Sequence, residues 1–158
     1  MRDNEPENAK RTASVCLPHD YLTWHLSGRE QLTTDHGDAS GTGYYSTRDR
    51  VFLPEFAEQY LGSTVTLPRI AEPNGIVGAT SHGAKITAGT GDNMAAALGM
   101  NLQPGDVCVS IGTSGVASAV SAKSVHDASG GVTGFATLPA TTYLSPARST
   151  LRRYSTSP

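Results

Sequence analysis

The chain has 158 residues, of which 37% are apolar and 16% charged, with a formal net charge of -2. This is the length and texture of roughly one soluble globular domain; the composition excludes a disordered polymer, and the charge balance excludes a polybasic nucleic-acid binder. No apolar run approaches the ~20 residues that span a bilayer, and the opening MRDNEPENAKR is charged where a signal peptide needs an apolar core, so the expected location is cytoplasmic and no membrane partner is expected.

Cys16 and Cys108 are far apart and lack C-x-x-C spacing, which reads as two ordinary buried thiols rather than a disulfide framework or zinc site. The five histidines, at 19, 25, 36, 82 and 126, include no H-x-x-x-H or H-E-x-x-H pair, and no metal site is assigned.

Pro6 suits a first helical turn, and EPENAKRTASVCL can be helical until Pro18 interrupts it. PHDYLTWHL then predicts a second helix stopping before Gly28, with Tyr21, Trp24, Leu22 and Leu26 forming one apolar face expected to pack into the core. Residues 33–47, TTDHGDASGTGYYST, read as loop and turn; Asp35 and Asp38 there are explained by turn chemistry better than as paired catalytic carboxylates. LPEFAEQYLG predicts a short helix with Pro54 at its start and Gly62 beyond its end.

From Leu67 the texture changes to strand and turn, and KITAG leads as a short strand into AGTGDNMAAALG at 88–99. Strand, tight turn and a helix starting at Asp92 make an α/β unit. Asp at a helix N-terminus accepts hydrogen bonds from unpaired amides and favours the positive end of the helix dipole, so capping alone accounts for Asp92. Gly89 and Gly91 add a second reading, because they permit a tight backbone path and remove side chains that would keep a ligand from Asp92. VCVSIG and VASAVS then predict a hairpin whose tip is Gly112, Thr113, Ser114 and Gly115, with a further short strand near 132–136.

These two small-residue turns are the informative pair. A Gly-Thr-Ser-Gly turn offers backbone amides and hydroxyls that can surround a phosphate, and a carboxylate facing it could orient an attacking hydroxyl and accept its proton. The alternative is a hairpin turn that uses Gly for backbone freedom and Thr and Ser for local hydrogen bonds. Neither turn matches the G-x-x-x-x-G-K-[ST] or G-x-G-x-x-G patterns. From residue 137 onward there is no Asp or Glu, Ser, Thr, Pro and Arg dominate, and Arg148, Arg152 and Arg153 carry the only charge; disorder is expected there, without the aromatic platform or dense basic cluster of a nucleic-acid tail.

LPHDYLTWHLSG, TTDHGDASGTGYYS, AGTGDNMAAALG and VSIGTSGVASAVS, in that order, resemble the FGGY family of carbohydrate kinases, with the xylulokinase branch nearest, over residues 5–136. The resemblance implies an α/β fold, part of a two-lobed sugar kinase of the actin-like ATPase (ribonuclease H-like) class. Residues 1–102 would be the C-terminal portion of the first lobe, 103–136 the start of the second with its phosphate-binding hairpin, and 137–158 a tail outside the family. By the same resemblance Asp92 is the catalytic base, and Gly112, Thr113, Ser114 and Gly115 contact nucleotide phosphate. The implied reaction is ATP-dependent phosphorylation of D-xylulose to the 5-phosphate with Mg²⁺ bridging phosphates; a kinase of glycerol, ribulose or gluconate, or a non-catalytic remnant or binding module, is the alternative.

Complete family members are longer, so the resemblance implies a chain truncated at both ends. An upstream phosphate turn and sugar-contacting segment, and a downstream adenosine pocket, would be missing. The tail's shift in composition resembles the product of a frameshift or a shortened reading frame. A homodimer is the assembly considered for the full-length family.

Overall fold

The computed structural model describes residues 1–72, 74–112, 115–125 and 127–137, and the backbone of 142–146. The chain begins with α1 (Pro6–Arg11) and α2 (Pro18–Leu26), each opened by the proline at its first position. Asp20 Oδ2 accepts the Leu17 amide at 2.9 Å and closes the start of α2. The first helix is shorter than the sequence predicts: beyond Arg11 the chain extends, and Ser14 makes a parallel bridge to Thr66.

Next come β1 (Thr33–Thr34) and the one-turn α3 (His36–Ala39), then the small antiparallel pair β2 (Tyr45–Ser46) and β3 (Val51–Phe52). Asp35 is the N-cap of α3: its Oδ1 accepts the Gly37 and Asp38 amides at 2.7 and 3.2 Å, the turn chemistry expected for this stretch. Helix α4 (Pro54–Leu61) ends at Gly62 in the left-handed conformation (φ 78°), as Pro and Gly at its two ends predict. β4 (Arg69–Ile70) runs parallel to β1, and β5 (Ile76–Ala79) pairs with β6 (Lys85–Thr87) across a bulge.

The second half opens with α5 (Asp92–Gly99) and closes with a four-stranded antiparallel sheet. Its strands are β7 (Val107–Ile111), β8 (Gly115–Ser121), β9 (Val132–Ala136) and β10 (Thr142–Pro146), in the order β7-β8-β10-β9. The β7–β8 hairpin is the one predicted, closing with Ile111 opposite Gly115. The strand β10 corrects the expectation of disorder from residue 137: TYLS within this segment combines β-branched and aromatic residues, and its backbone pairs with β8 on one side and β9 on the other. The remaining tail residues lie outside the described set.

Two small clusters tie these pieces together. Met94 and Ala97 of α5 group with Val120 of β8, flanked by Leu102 and Phe135; Ala39, Tyr45 and Ala136 group with Phe52 and Ile70. The Ala136 amide also donates to Ser40 Oγ at 2.9 Å, joining the end of β9 to the end of α3.

Helix α2 departs from its predicted orientation. Tyr21, Leu22 and Leu26 are 47–56% exposed, whereas Asp20 and Thr23 are buried. The inward side carries His19, whose Nδ1 lies 3.0 Å from Asp38 of α3, and Asp20, whose Oδ2 is taken by the Leu17 amide at the start of α2. The outward aromatics stack on one another instead, Tyr21 with Trp24 and His25, and the Arg29 guanidinium lies 5.5 Å from the Trp24 ring centre.

Candidate functional site

Asp92 is the first residue of α5, exposed, with Gly91 rather than Asp92 in the capping position. Its Oδ1 accepts the Asn93 amide at 2.7 Å, so the carboxylate is tethered by the first turn of its own helix while remaining open to solvent. This satisfies one helix-end amide in the manner expected of a helix-end acid, from one position further in.

The turn before it is packed tightly from below. A Cβ on Gly89, whose φ is +77°, would sit 2.5 Å from His19 Nε2. A Cβ on Gly91 would sit 2.6 Å from Asp38 Oδ1 and 2.5 Å from Met94 Cε. The space these glycines leave is thus filled by His19, Asp38 and Met94 of the chain itself, beyond the ligand access argued from sequence.

His19 and Asp38 are also joined to each other, with Nδ1 3.0 Å from Oδ2, and Asp20 Oδ1 lies 3.6 Å from the same nitrogen. Asp35 stands close by with its Oδ2 buried and without a hydrogen-bond partner. Asp20 and Asp38 push the His19 imidazole up to about 10, so it is a cation at neutral pH. Burial, reinforced by the Asp38 charge, pushes the Asp35 carboxyl up to about 6. His19, Asp35 and Asp38 have the donor types of a metal site, with one donor atom each within 4.8 Å of the others. The imidazole is pushed up to about 10 beside Asp38 and is a cation at neutral pH, however, and a protonated imidazole is a poor ligand. The set does not fit a resident Mg²⁺, which prefers oxygen donors and retained waters.

Of the sequence-predicted phosphate residues, Gly112 and Gly115 flank the hairpin tip, exposed and buried respectively, while Thr113 and Ser114 lie outside the described residues. Helix α5 and β8 share a core cluster through Met94, Ala97 and Val120, and the hairpin tip is at the opposite end of β8 from Val120. Asp92 and the tip therefore stand on elements packed in one cluster, one at a helix start and the other at a strand end.

The groove of about 620 Å³ between the end of α2 and the β5–β6 hairpin, lined by His25, Glu30, Thr80 and His82 among others, does not include Asp92 or the hairpin tip. Among the described residues no helix is long and apolar enough to cross a membrane. The sequence reading missed His19 and Asp38 as neighbours of the 89–92 turn. The adjacent His19 and Asp20 and the Asp35–Asp38 spacing were visible, but nothing local connects them to glycines about fifty to seventy residues later.

Residues 1–99 match the FGGY family of carbohydrate kinases, N-terminal domain. The xylulose kinase of Streptomyces coelicolor is 42% identical over 144 residues, which cover 86% of this chain and 30% of that protein; the xylulose kinase of Streptomyces rubiginosus is 40% identical over the same shares. The crystal structure of xylulose kinase from Bifidobacterium adolescentis superposes with a TM-score of 0.80 at 32% identity, over 91% of this chain and 35% of that one. Glycerol kinase from Plasmodium falciparum, at 19% identity and a TM-score of 0.77, shares the fold. The chain spans about 30% of the length of the two Streptomyces relatives.

Proposed function

The chain belongs to the FGGY family of carbohydrate kinases, and from that premise we propose that it carries the catalytic base and the start of the phosphate-binding lobe of a xylulose kinase. The reaction is transfer of the γ-phosphoryl group of Mg-ATP to the 5-hydroxyl of D-xylulose. The observation that carries this reading is Asp92: an exposed carboxylate tethered at the start of α5, on a turn whose glycines are seated against an ion pair.

Asp92 accepts a hydrogen bond from the sugar hydroxyl and holds its oxygen in line with the γ-phosphorus. As the new O–P bond forms and the bond to ADP breaks, the hydroxyl proton passes to the Asp92 carboxylate. Positioning matters more than basicity here, because the transition state of phosphoryl transfer is loose and proton removal comes late. The amides of the turn at 112–115 would face the transferred phosphate, with Mg²⁺ arriving on the nucleotide as part of the substrate. Residues 1–102 belong in this reading to the first lobe, 103–136 to the second, and catalysis to a cleft between them.

Sequence identity favours xylulose over the other sugars and polyols of the family, since the two Streptomyces xylulose kinases are 42% and 40% identical. Because the chain covers 30% of such a kinase, the isolated chain is expected to give no ADP above an Asp92→Ala control when mixed with D-xylulose and Mg-ATP. The positive test is a chimera. Residues 1–136 replace the matching stretch of the Streptomyces coelicolor xylulose kinase, and xylulose-dependent ADP formation is measured with and without Asp92. A folded chimera that binds both substrates but does not turn over would contradict the reading and leave a non-catalytic binding module.

A further inference from the structure

The turn at 89–91 has little to hold it in place by itself. Among the described residues, none of the amides of Gly89, Thr90 and Gly91 donates a hydrogen bond, and the first ordered contact of this backbone is the Gly91 carbonyl accepting the Ala95 amide at 2.9 Å. What fixes the turn is therefore what it rests on. His19 Nε2 lies under Gly89 and Asp38 Oδ1 under Gly91, while the other ends of the same two side chains meet at 3.0 Å. One ion pair thus underlies both ends of a three-residue turn, and the residue that follows is Asp92.

Both members of the pair are themselves anchored. His19 is the second residue of α2, whose start is closed by Asp20; Asp38 sits in α3, and its amide is held by the cap Asp35. The pair is half-buried, with side-chain exposures of 34% and 20%, which weakens screening by solvent. The charged groups facing the imidazole are Asp20 from its own helix, Asp38 from α3, and Asp35 from the cap of α3.

The geometry points to the His19–Asp38 ion pair as the positioning element of the catalytic turn: it sets where the 89–91 backbone lies and thereby where the Asp92 carboxylate is presented. His19 and Asp38 are positioning residues that act through the two glycines. The catalytic part of this inference rests on the reading of Asp92 as the base, but the mechanical coupling does not, and it can be measured without turnover.

The experiment is carbon-detected NMR on the full chain between pH 6 and 11, following the His19 ring, the carbonyl carbons of Gly89 and Gly91, and the Asp92 side-chain carboxyl. The expected result is that the three turn signals move with the same midpoint as the His19 ring. Asp38→Asn should lower that midpoint by at least one pH unit, a tenfold loss of proton affinity. At pH 7, His19→Gln and Asp38→Asn should each displace the Gly89, Gly91 and Asp92 signals, and the double variant should displace them no further, while Ala57 in α4 stays unmoved. Passive packing would not make the turn signals follow the imidazole proton.

The proposal is overturned if His19 titrates while the turn signals stay still, if the single variants leave those signals in place or add independently in the double variant, or if residues 19, 38 and 89–92 of the unaltered chain give random-coil shifts. A catalytically dead chimera with intact coupling would count against the kinase reading alone. An active chimera without coupling would count against the positioning role alone.

Discussion

His19 in α2 and Asp38 in α3 meet at 3.0 Å, and the pair lies beneath the glycines that lead into Asp92. The imidazole is pushed from 6.5 up to about 10 by Asp20 and Asp38. A raised folded-state value means that the pair's stabilisation is present in full below pH 6.5, declines as pH rises, and is gone above about 10. Urea denaturation from pH 6 to 11 checks this: the stability difference between the unaltered chain and His19→Gln should shrink across that window. A constant difference would show that the charge contributes nothing.

Asp35 has the opposite consequence at lower pH. Its carboxyl is pushed from 3.8 up to about 6, mainly by burial, so the folded chain favours the neutral form and the favourable contribution is lost as pH rises through that range. Asp35→Asn keeps an oxygen to cap α3 and removes the titration. Relative to the unaltered chain, the variant should gain about 3 kcal/mol between pH 3 and pH 7, taking about two units at ~1.4 kcal/mol each. Denaturation midpoints at the two pH values measure it, and parallel behaviour of the two chains would count against a buried, strained carboxylate.

The glycines of the turn should tolerate no side chain. Gly89→Ala combines a left-handed φ of +77° with a Cβ 2.5 Å from His19 Nε2, whereas Gly91→Ala meets Asp38 Oδ1 and Met94 Cε without the backbone penalty. Each is expected to destabilise by about 1–3 kcal/mol, with Gly89→Ala the costlier. Thermal denaturation of the two variants gives the order, and the reverse order would show that the backbone at Gly89 is easily relaxed.

A third pair of substitutions tests the orientation of α2. Leu22 is 56% exposed, and Leu22→Gln should change stability by no more than about 0.5 kcal/mol. Ala39 is fully buried, and Ala39→Leu should cost about 1–3 kcal/mol by overpacking the cluster with Tyr45 and Ala136. If Leu22→Gln proved the more damaging, the apolar face of α2 would be inside, as its spacing alone predicts.

That contrast marks how far the sequence reaches. The bounds of α4 were legible in Pro54 and Gly62, the hairpin in two β-rich runs around a Gly-Thr-Ser-Gly tip, and the start of α5 in Asp92, because each is set by residues a few positions apart. Spacing in α2 told which residues share a face but not which face turns inward, since the side that carries His19 is held by Asp38 on another element, while Asp20 closes the start of α2 itself. The strand β10 was missed because its alternation is short and set in a Ser- and Pro-rich segment. In the candidate site, Asp92 was legible from its turn. The ion pair beneath it was not, because contact between residues 19, 38, 89 and 91 exists only after folding.

The role of Asp92 as the base of a xylulose kinase is tested by kcat in the chimera carrying residues 1–136 within the Streptomyces coelicolor enzyme. Asp92→Asn should lower kcat for D-xylulose by about 10²- to 10⁴-fold with Mg-ATP saturating, and move the melting temperature little, because the Asn side-chain oxygen can still accept the Asn93 amide. An Asp92→Asn chimera that phosphorylates xylulose at the rate of its parent would contradict the account.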